Sequence, residues 1–198
     1  MSTAPHHLHW MRQAIAEAER ARGKTGDNPW VGCVIVSAES LAVGRGHTQG
    51  PGEDHAEVGA LREARGAGAA LPACTLYSTL EPCSFHGRTP SCARGIVSHG
   101  VGTVVIAMRD PNPRVDGLGI QILRDGGVQV IDGVCEAEVR QQLGAWVLRF
   151  HPHEVIRRAS ALLARGDEAT TARALAEAYA VPLAEAERVV ADVLMRGG

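Results

Sequence analysis

Two short stretches carry residue types that could do chemistry together. One is His55-Ala56-Glu57; the other runs Glu81-Pro82-Cys83-Ser84-Phe85-His86-Gly87-Arg88-Thr89-Pro90-Ser91-Cys92. One imidazole and two thiolates are what a zinc ion takes when it keeps a fourth position for water. Zinc lowers the pKa of such a water toward neutrality. A nearby carboxylate, here Glu57, would take the proton and hand it on. The chemistry implied is hydrolytic, with His55, Cys83 and Cys92 as ligands and Glu57 as acid and base. The competing reading is a closed structural zinc with His86 as fourth ligand, or simply two buried cysteines.

The elements that must position these groups can be read from pattern. Asp54 is a candidate N-cap for a helix from His55 to about Arg65. Residues two apart on a helix diverge by about 200°. His55 and Glu57 are therefore not both direct ligands, and the longer glutamate reaches the water instead. Cys92 also falls near a helix start, where free N–H groups favour thiolate over thiol. The apolar runs 31–36, 74–80, 103–108 and 128–131 read as strands, with 41–46 as a hairpin partner of the first. Helices are expected over 8–22, with Met11, Ile15 and Ala18 on one face, and over 91–99 and 117–125. Strands alternating with helices predict an α/β sandwich with crossover connections. From Glu136 the pattern turns all-helical: 136–150 as one helix, then 154–165, 168–180 and 183–195. The expected organisation is a domain over residues 1–150 and a helical extension over 151–198.

Composition narrows the function classes. The chain has 198 residues, 45% of them apolar, which suffices for one good core. A net charge of −2 creates no field to draw a nucleic-acid backbone or an anionic membrane. No apolar run is long enough to span a bilayer. The first ten residues lack a signal-peptide pattern, so a cytoplasmic location is expected. Five cysteines, an odd number in a chain of this length, argue against a disulfide framework. Cys33 and Cys74 sit in strand-like runs as small hydrophobes.

Four stretches, Asn28 to Val34, His55 to Val58, Leu80 to Cys92 and Asp110-Pro111-Asn112-Pro113, resemble the riboflavin-biosynthesis pyrimidine deaminase. That is the deaminase half of the bifunctional riboflavin deaminase–reductase, in the cytidine deaminase-like superfamily. The resemblance covers roughly residues 8 to 135. Zinc deaminases commonly space their cysteines as C-x-x-C; here eight residues intervene, with Gly87-Arg88-Thr89-Pro90 among them. The resemblance implies a three-layer α/β/α fold and one zinc ion held by His55, Cys83 and Cys92, with Glu57 as proton shuttle. The implied reaction is hydrolytic deamination of 2,5-diamino-6-ribosylamino-4(3H)-pyrimidinone 5′-phosphate. It places Asn28 on the pyrimidine ring and Asp110 and Asn112 on the ribose-phosphate arm. Arg88 suits the phosphate, because guanidinium pairs with phosphate oxygens in bidentate fashion. His86 becomes a loop or substrate-side residue. On residue type alone, Asn28 and Asp110-Pro111-Asn112-Pro113 are equally good turn formers, and Arg88 is a solvated loop charge.

The sequence departs from the family in three places. Thr48 stands where the family has a histidine, with His47 next to it; both are candidate substrate-binding residues, although neighbours in a strand face opposite sides. No reductase-like segment follows, which makes a reductase on a separate chain an implied partner. The 151–198 segment is foreign to the family. It has a helix–turn–helix outline, yet carries six Arg against seven Asp or Glu and no Lys. A DNA-binding module shows a basic footprint, so no nucleic acid is expected; an oligomerisation surface or a cap over an edge is the better reading. By resemblance the chain is a homo-oligomer, dimer or tetramer, acting on a small molecule without a membrane. Two other functions compete: deamination of a related amino-heterocycle in a specialised pathway, and a non-catalytic regulator that kept the fold.

Overall fold

The computed structural model describes residues 4–87 and 89–197. Arg88, singled out above for phosphate, lies outside them. No helix among the described residues is long and apolar enough to cross a membrane. The chain forms two compact units, one ending at Val139 and the other beginning at Arg140.

The first unit opens with helix α1 (Pro5–Glu19), whose proline stands in the first turn, where its missing N–H is harmless. A five-stranded sheet follows, built from β1 (Gly32–Val36), β2 (Ala42–His47), β3 (Thr75–Leu80), β4 (Thr103–Met108) and β5 (Gln129–Asp132) in the order β2-β1-β3-β4-β5. β1 pairs antiparallel with β2 and β3, while β3–β4 and β4–β5 are parallel. Helices α2 (Ala56–Gly66), α3 (Cys92–Ser98) and α4 (Leu118–Asp125) make the connections. Every residue of β1 is buried, as its unbroken apolar run requires of a strand covered on both faces.

Glycines decide how close the two helical layers come. A Cβ on Gly32 would lie 2.0 Å from the Ala14 carbonyl oxygen of α1. On Gly44 and Gly46 it would lie 2.2 and 2.1 Å from the Ala60 and Ala56 carbonyl oxygens of α2. Gly46 pairs with Cys33 and His47 with Gly32. The even-numbered glycines of β2 therefore face α2, and His47 faces α1. One helix lies on each face of the sheet, which gives the three-layer α/β/α arrangement. On α1 the buried stripe is Met11, Ala14 and Ala18, with Ile15 at its margin. The small alanines permit the close approach to Gly32.

Gly46→Ala is expected to be a severe change for a single methyl. The atoms in the way are backbone, at Ala56 O and at 2.7 Å from Ala60 N, so α2 itself must shift. A loss of about 3 kcal/mol is expected, at the upper end for overpacking, with weaker zinc binding because α2 carries His55 and Glu57. Urea unfolding of the variant checks this; an unchanged midpoint would show that the layers are not held by this contact.

The tail contains α5 (Glu136–Gln142), α6 (Gly144–Phe150), α7 (Pro152–Leu163), α8 (Glu168–Tyr179) and α9 (Leu183–Gly197). The single helix expected over 136–150 is broken at Leu143. The cause is packing: Gly144 lies so close to Tyr179 that a Cβ there would be 1.6 Å from the Tyr179 carbonyl oxygen. The boundary between the compact units, at Val139 and Arg140, falls inside α5. In the second unit Leu175 and Tyr179 of α8 are buried together with Ala186 and Val190 of α9. The turn between these helices is made by Ala180 at φ +48.

Candidate active site

The sheet topology gathers the chemistry at one end. Because β1 runs against β2 and β3, the residues before β1 lie beside those that follow β2, β3 and β4. Asn28, Thr48, Cys83 and Asp110 occupy those four positions. The helix starts of α2 and α3 point at the same place.

His55 is the N-cap residue of α2 in extended conformation, and its side chain makes no capping bond. Asp54, the expected cap, is instead paired with Arg62. The imidazole is therefore free to serve as a ligand. Its Nδ1 lies 3.3 Å from Cys92 Sγ and 3.8 Å from Cys83 Sγ. His55, Cys83 and Cys92 are the group among the described residues that could hold a metal, with ligand atoms all within 4.8 Å of one another. One nitrogen and two sulfurs converging at that spacing, with no fourth donor grouped with them among the described residues, fit a catalytic zinc better than a closed one. His86, the candidate fourth ligand, is exposed and outside the group.

Two residues that hold this centre escaped the sequence reading. Thr89 Oγ1 lies 3.3 Å from His55 Nε2, which orients the ring with Nδ1 toward the sulfurs. Ser91 caps α3: its Oγ accepts from Arg94 N–H at 3.3 Å and donates to the Cys83 carbonyl at 2.8 Å. A serine directly before a helix start was a readable cap signal. The contact of Thr89 with His55, 34 residues away in sequence, had no local signal.

The electrostatics suit a metal. Cys92 also donates its backbone N–H to Cys83 Sγ at 3.2 Å. The Cys92 thiol, the His55 ring and this N–H pull Cys83 down to about 4. The same contact with Cys83, and then burial, pushes Cys92 well above the ordinary thiol range. A dication bound by both sulfurs would favour the thiolate form of each. Hydrogen bonding to Cys83 raises His55. Glu57 is 4% exposed; burial first, and then the Cys83 charge, push its carboxyl up. A raised carboxyl pKa is what a group that both takes and gives a proton near neutrality needs.

A cavity of about 150 Å³ opens onto this centre. Asn28, Thr48, Asp110 and Asn112 line it together with His55, Glu57, Cys83, Glu81 and Phe85. A larger groove of about 420 Å³ between α2 and α3 also reaches Glu57 and Cys92 but contains none of those four polar residues. Thr48 Oγ1 accepts from Val31 N–H at 3.0 Å. Asp110 Oδ1 accepts from Asn112 N–H at 2.8 Å. Asp110 is buried, and that burial raises its carboxyl to about 7. Of the substrate residues expected from sequence, Asn28, Thr48, Asp110 and Asn112 come together here. His47 does not: its Nδ1 lies 3.5 Å from Glu17 of α1, because it points to the opposite face of β2 from Gly46. His86 does not line the cavity either and stands in solvent.

Comparisons with known proteins agree with this geometry. Residues 5–108 match the family described as cytidine and deoxycytidylate deaminase zinc-binding region. The riboflavin biosynthesis protein RibD of Escherichia coli is 46% identical over 133 residues, which cover 67% of this chain and 35% of that protein. The chain thus spans about a third of the length of that curated relative. Solved structures are similar as well. RibD of Acinetobacter baumannii has a TM-score of 0.67 at 43% identity, over 72% of this chain and 39% of that one. The diaminohydroxyphosphoribosylaminopyrimidine deaminase/5-amino-6-(5-phosphoribosylamino)uracil reductase of Thermotoga maritima has a TM-score of 0.63 at 40% identity, over 68% and 38%. The family match, over residues 5–108, runs from α1 to β4 and includes His55, Cys83 and Cys92. The chain belongs to the zinc-binding family of cytidine and deoxycytidylate deaminases.

Proposed function

We propose that the protein removes an amino group hydrolytically from an aminopyrimidine ribotide, 2,5-diamino-6-ribosylamino-4(3H)-pyrimidinone 5′-phosphate. The observation that carries this is the small cavity in which Asn28, Asp110 and Asn112 face His55, Glu57 and Cys83. Its similarity to the Thermotoga deaminase/reductase supports the choice of substrate.

His55, Cys83 and Cys92 would hold the zinc, which when bound supplies an activated water. Glu57 would take one proton from the attacking water and give it to the ring nitrogen; as the hydroxyl added to the ring carbon becomes a carbonyl, Glu57 would take that second proton and give it to the amine, which leaves as ammonia. Burial of Glu57 keeps those protons out of bulk solvent. The Asn28 amide hydrogen-bonds the ring and sets which carbon faces the centre. Asp110 and Asn112 take hydroxyls of the ribose arm, and Thr48 closes the wall beside them. Arg88 is the phosphate partner in this reading. The protein works in the cytoplasm as a homo-oligomer, and a reductase consumes the product.

The test is ammonia release by purified, zinc-loaded protein from a panel of amines headed by the ribotide. The panel includes its dephosphorylated form, cytidine and ring-altered analogues. The ribotide is expected to give the highest kcat/KM, falling about 100-fold without the phosphate, the size of one or two lost charge-assisted bonds. Faster turnover of a ring-altered amine would replace this substrate with a related heterocycle. Bound zinc without ammonia release from any amine would point to a regulatory protein.

A further inference from the structure

We propose that Glu81 is a positioning residue. Its buried carboxylate fastens the Asp110–Asn112 loop and the start of α4 to the strand leading to Cys83, and so places the polar wall of the cavity. This inference rests on the reading of that cavity as the substrate site.

Glu81 directly follows β3 and is 3% exposed. Three backbone N–H groups satisfy its carboxylate. Oε2 accepts from Gly117 N–H at 3.0 Å and from Asp110 N–H at 3.4 Å, and Oε1 accepts from Ile120 N–H at 3.1 Å. Gly117 is the N-cap of α4, at φ +87, and offers no side chain to cap the helix. Glu81 therefore supplies from another segment what a capping residue would supply locally. The join is tight, since a Cβ on Gly119 would lie 2.1 Å from the Pro82 carbonyl oxygen and 3.1 Å from Glu81 Oε1.

The consequence is a single bracket. Two residues along the chain from Glu81, Cys83 enters the metal centre. Across its carboxylate, Asp110 enters the cavity with its own side chain bonded to Asn112 N–H. Together with the bonds from Glu81 N–H to the Met108 carbonyl and from Ser84 Oγ to the Arg114 carbonyl, both 2.9 Å, the Glu81 carboxylate thus ties the reacting centre to the groups that hold the substrate arm. Glutamine has nearly the same shape but keeps one acceptor oxygen. Its NH₂ would face an N–H donor, so one side of the bracket opens.

The experiment compares zinc-loaded wild type with Glu81→Gln. Amide hydrogen exchange at Asp110, Gly117 and Ile120 should speed up about tenfold or more, with β4 amides unchanged. KM for the ribotide should rise about tenfold, the worth of one hydrogen bond to a charged group, while kcat stays within about threefold and zinc stays bound. In an Asp110→Asn background the same substitution should raise KM less, because both changes act on one wall. An unchanged KM despite faster exchange, or loss of zinc, would overturn the proposal. If Glu81→Gln does not fold, Glu81→Asp, which keeps the charge but withdraws the oxygens, takes its place with the same readouts. A wild type inert toward the ribotide would sink the substrate reading alone. The exchange data, and KM for whichever amine is turned over, would then decide the role of Glu81.

Discussion

Glu57→Gln is expected to lower ammonia release by about 10³-fold or more while one zinc stays bound per chain. General acid–base groups typically contribute 10²–10⁴-fold, and here one side chain serves several proton transfers in sequence. Glutamine fills the same space in a site that is 4% exposed, so α2 and its ligand His55 stay in place. It cannot take up or release a proton. Burial already disfavours the charged carboxylate, so the neutral amide should not unfold the site, and thermal stability should be equal or higher. A coupled ammonia assay and metal analysis on the same sample check both halves. Activity within about fivefold of wild type would remove Glu57 from the mechanism. Loss of zinc would instead make it a structural partner of the ligands.

Removal of the metal should be as damaging and should also show in stability. His55, Cys83 and Cys92 come from the starts of two helices and the end of one strand, so an ion bound to all three ties α2, α3 and β3 together. A ligand present at a thousand times its Kd stabilises by about 4 kcal/mol. For a chain of this size that corresponds to a fall of roughly 10 °C in Tm on chelation, with activity reduced to background and both restored by zinc. Cys83→Ser and Cys92→Ser should each behave like the chelated protein. Cys33→Ala removes a thiol that is fully buried in β1, where desolvation holds it well above the ordinary thiol range; it should keep its zinc. A chelated protein with unchanged Tm and full activity would show that these three residues hold no functional metal.

The parts of the molecule that could be read from sequence are those set by local pattern. Nearly continuous apolar runs marked β1 and β4, because a strand covered on both faces has no polar side to alternate with. The helices after His55 and Cys92 were visible from turn chemistry and periodicity. Their exact starts were not, since His55 takes the cap position that Asp54 offered to fill. The break at Leu143 was invisible because Gly144 is there for a contact with Tyr179, 35 residues away.

Residue types and short spacings alone determined the metal chemistry of this protein. An imidazole, two thiols and a carboxylate two positions from the imidazole have few other uses, and each ligand stands at a helix start or strand end. Tertiary structure decided what faces that centre. The parity of β2 turns on which helix packs against its glycines; with Gly44 and Gly46 against α2, His47 goes to Glu17 and Thr48 turns to the cavity. The antiparallel placement of β1 brings Asn28 to the same sheet end as Asp110. The buried Glu81 bracket joins three segments by backbone bonds that no side-chain pattern announces. Side-chain chemistry is written residue by residue, whereas the partner of a backbone N–H is chosen only when the sheet order and the faces of its strands are set.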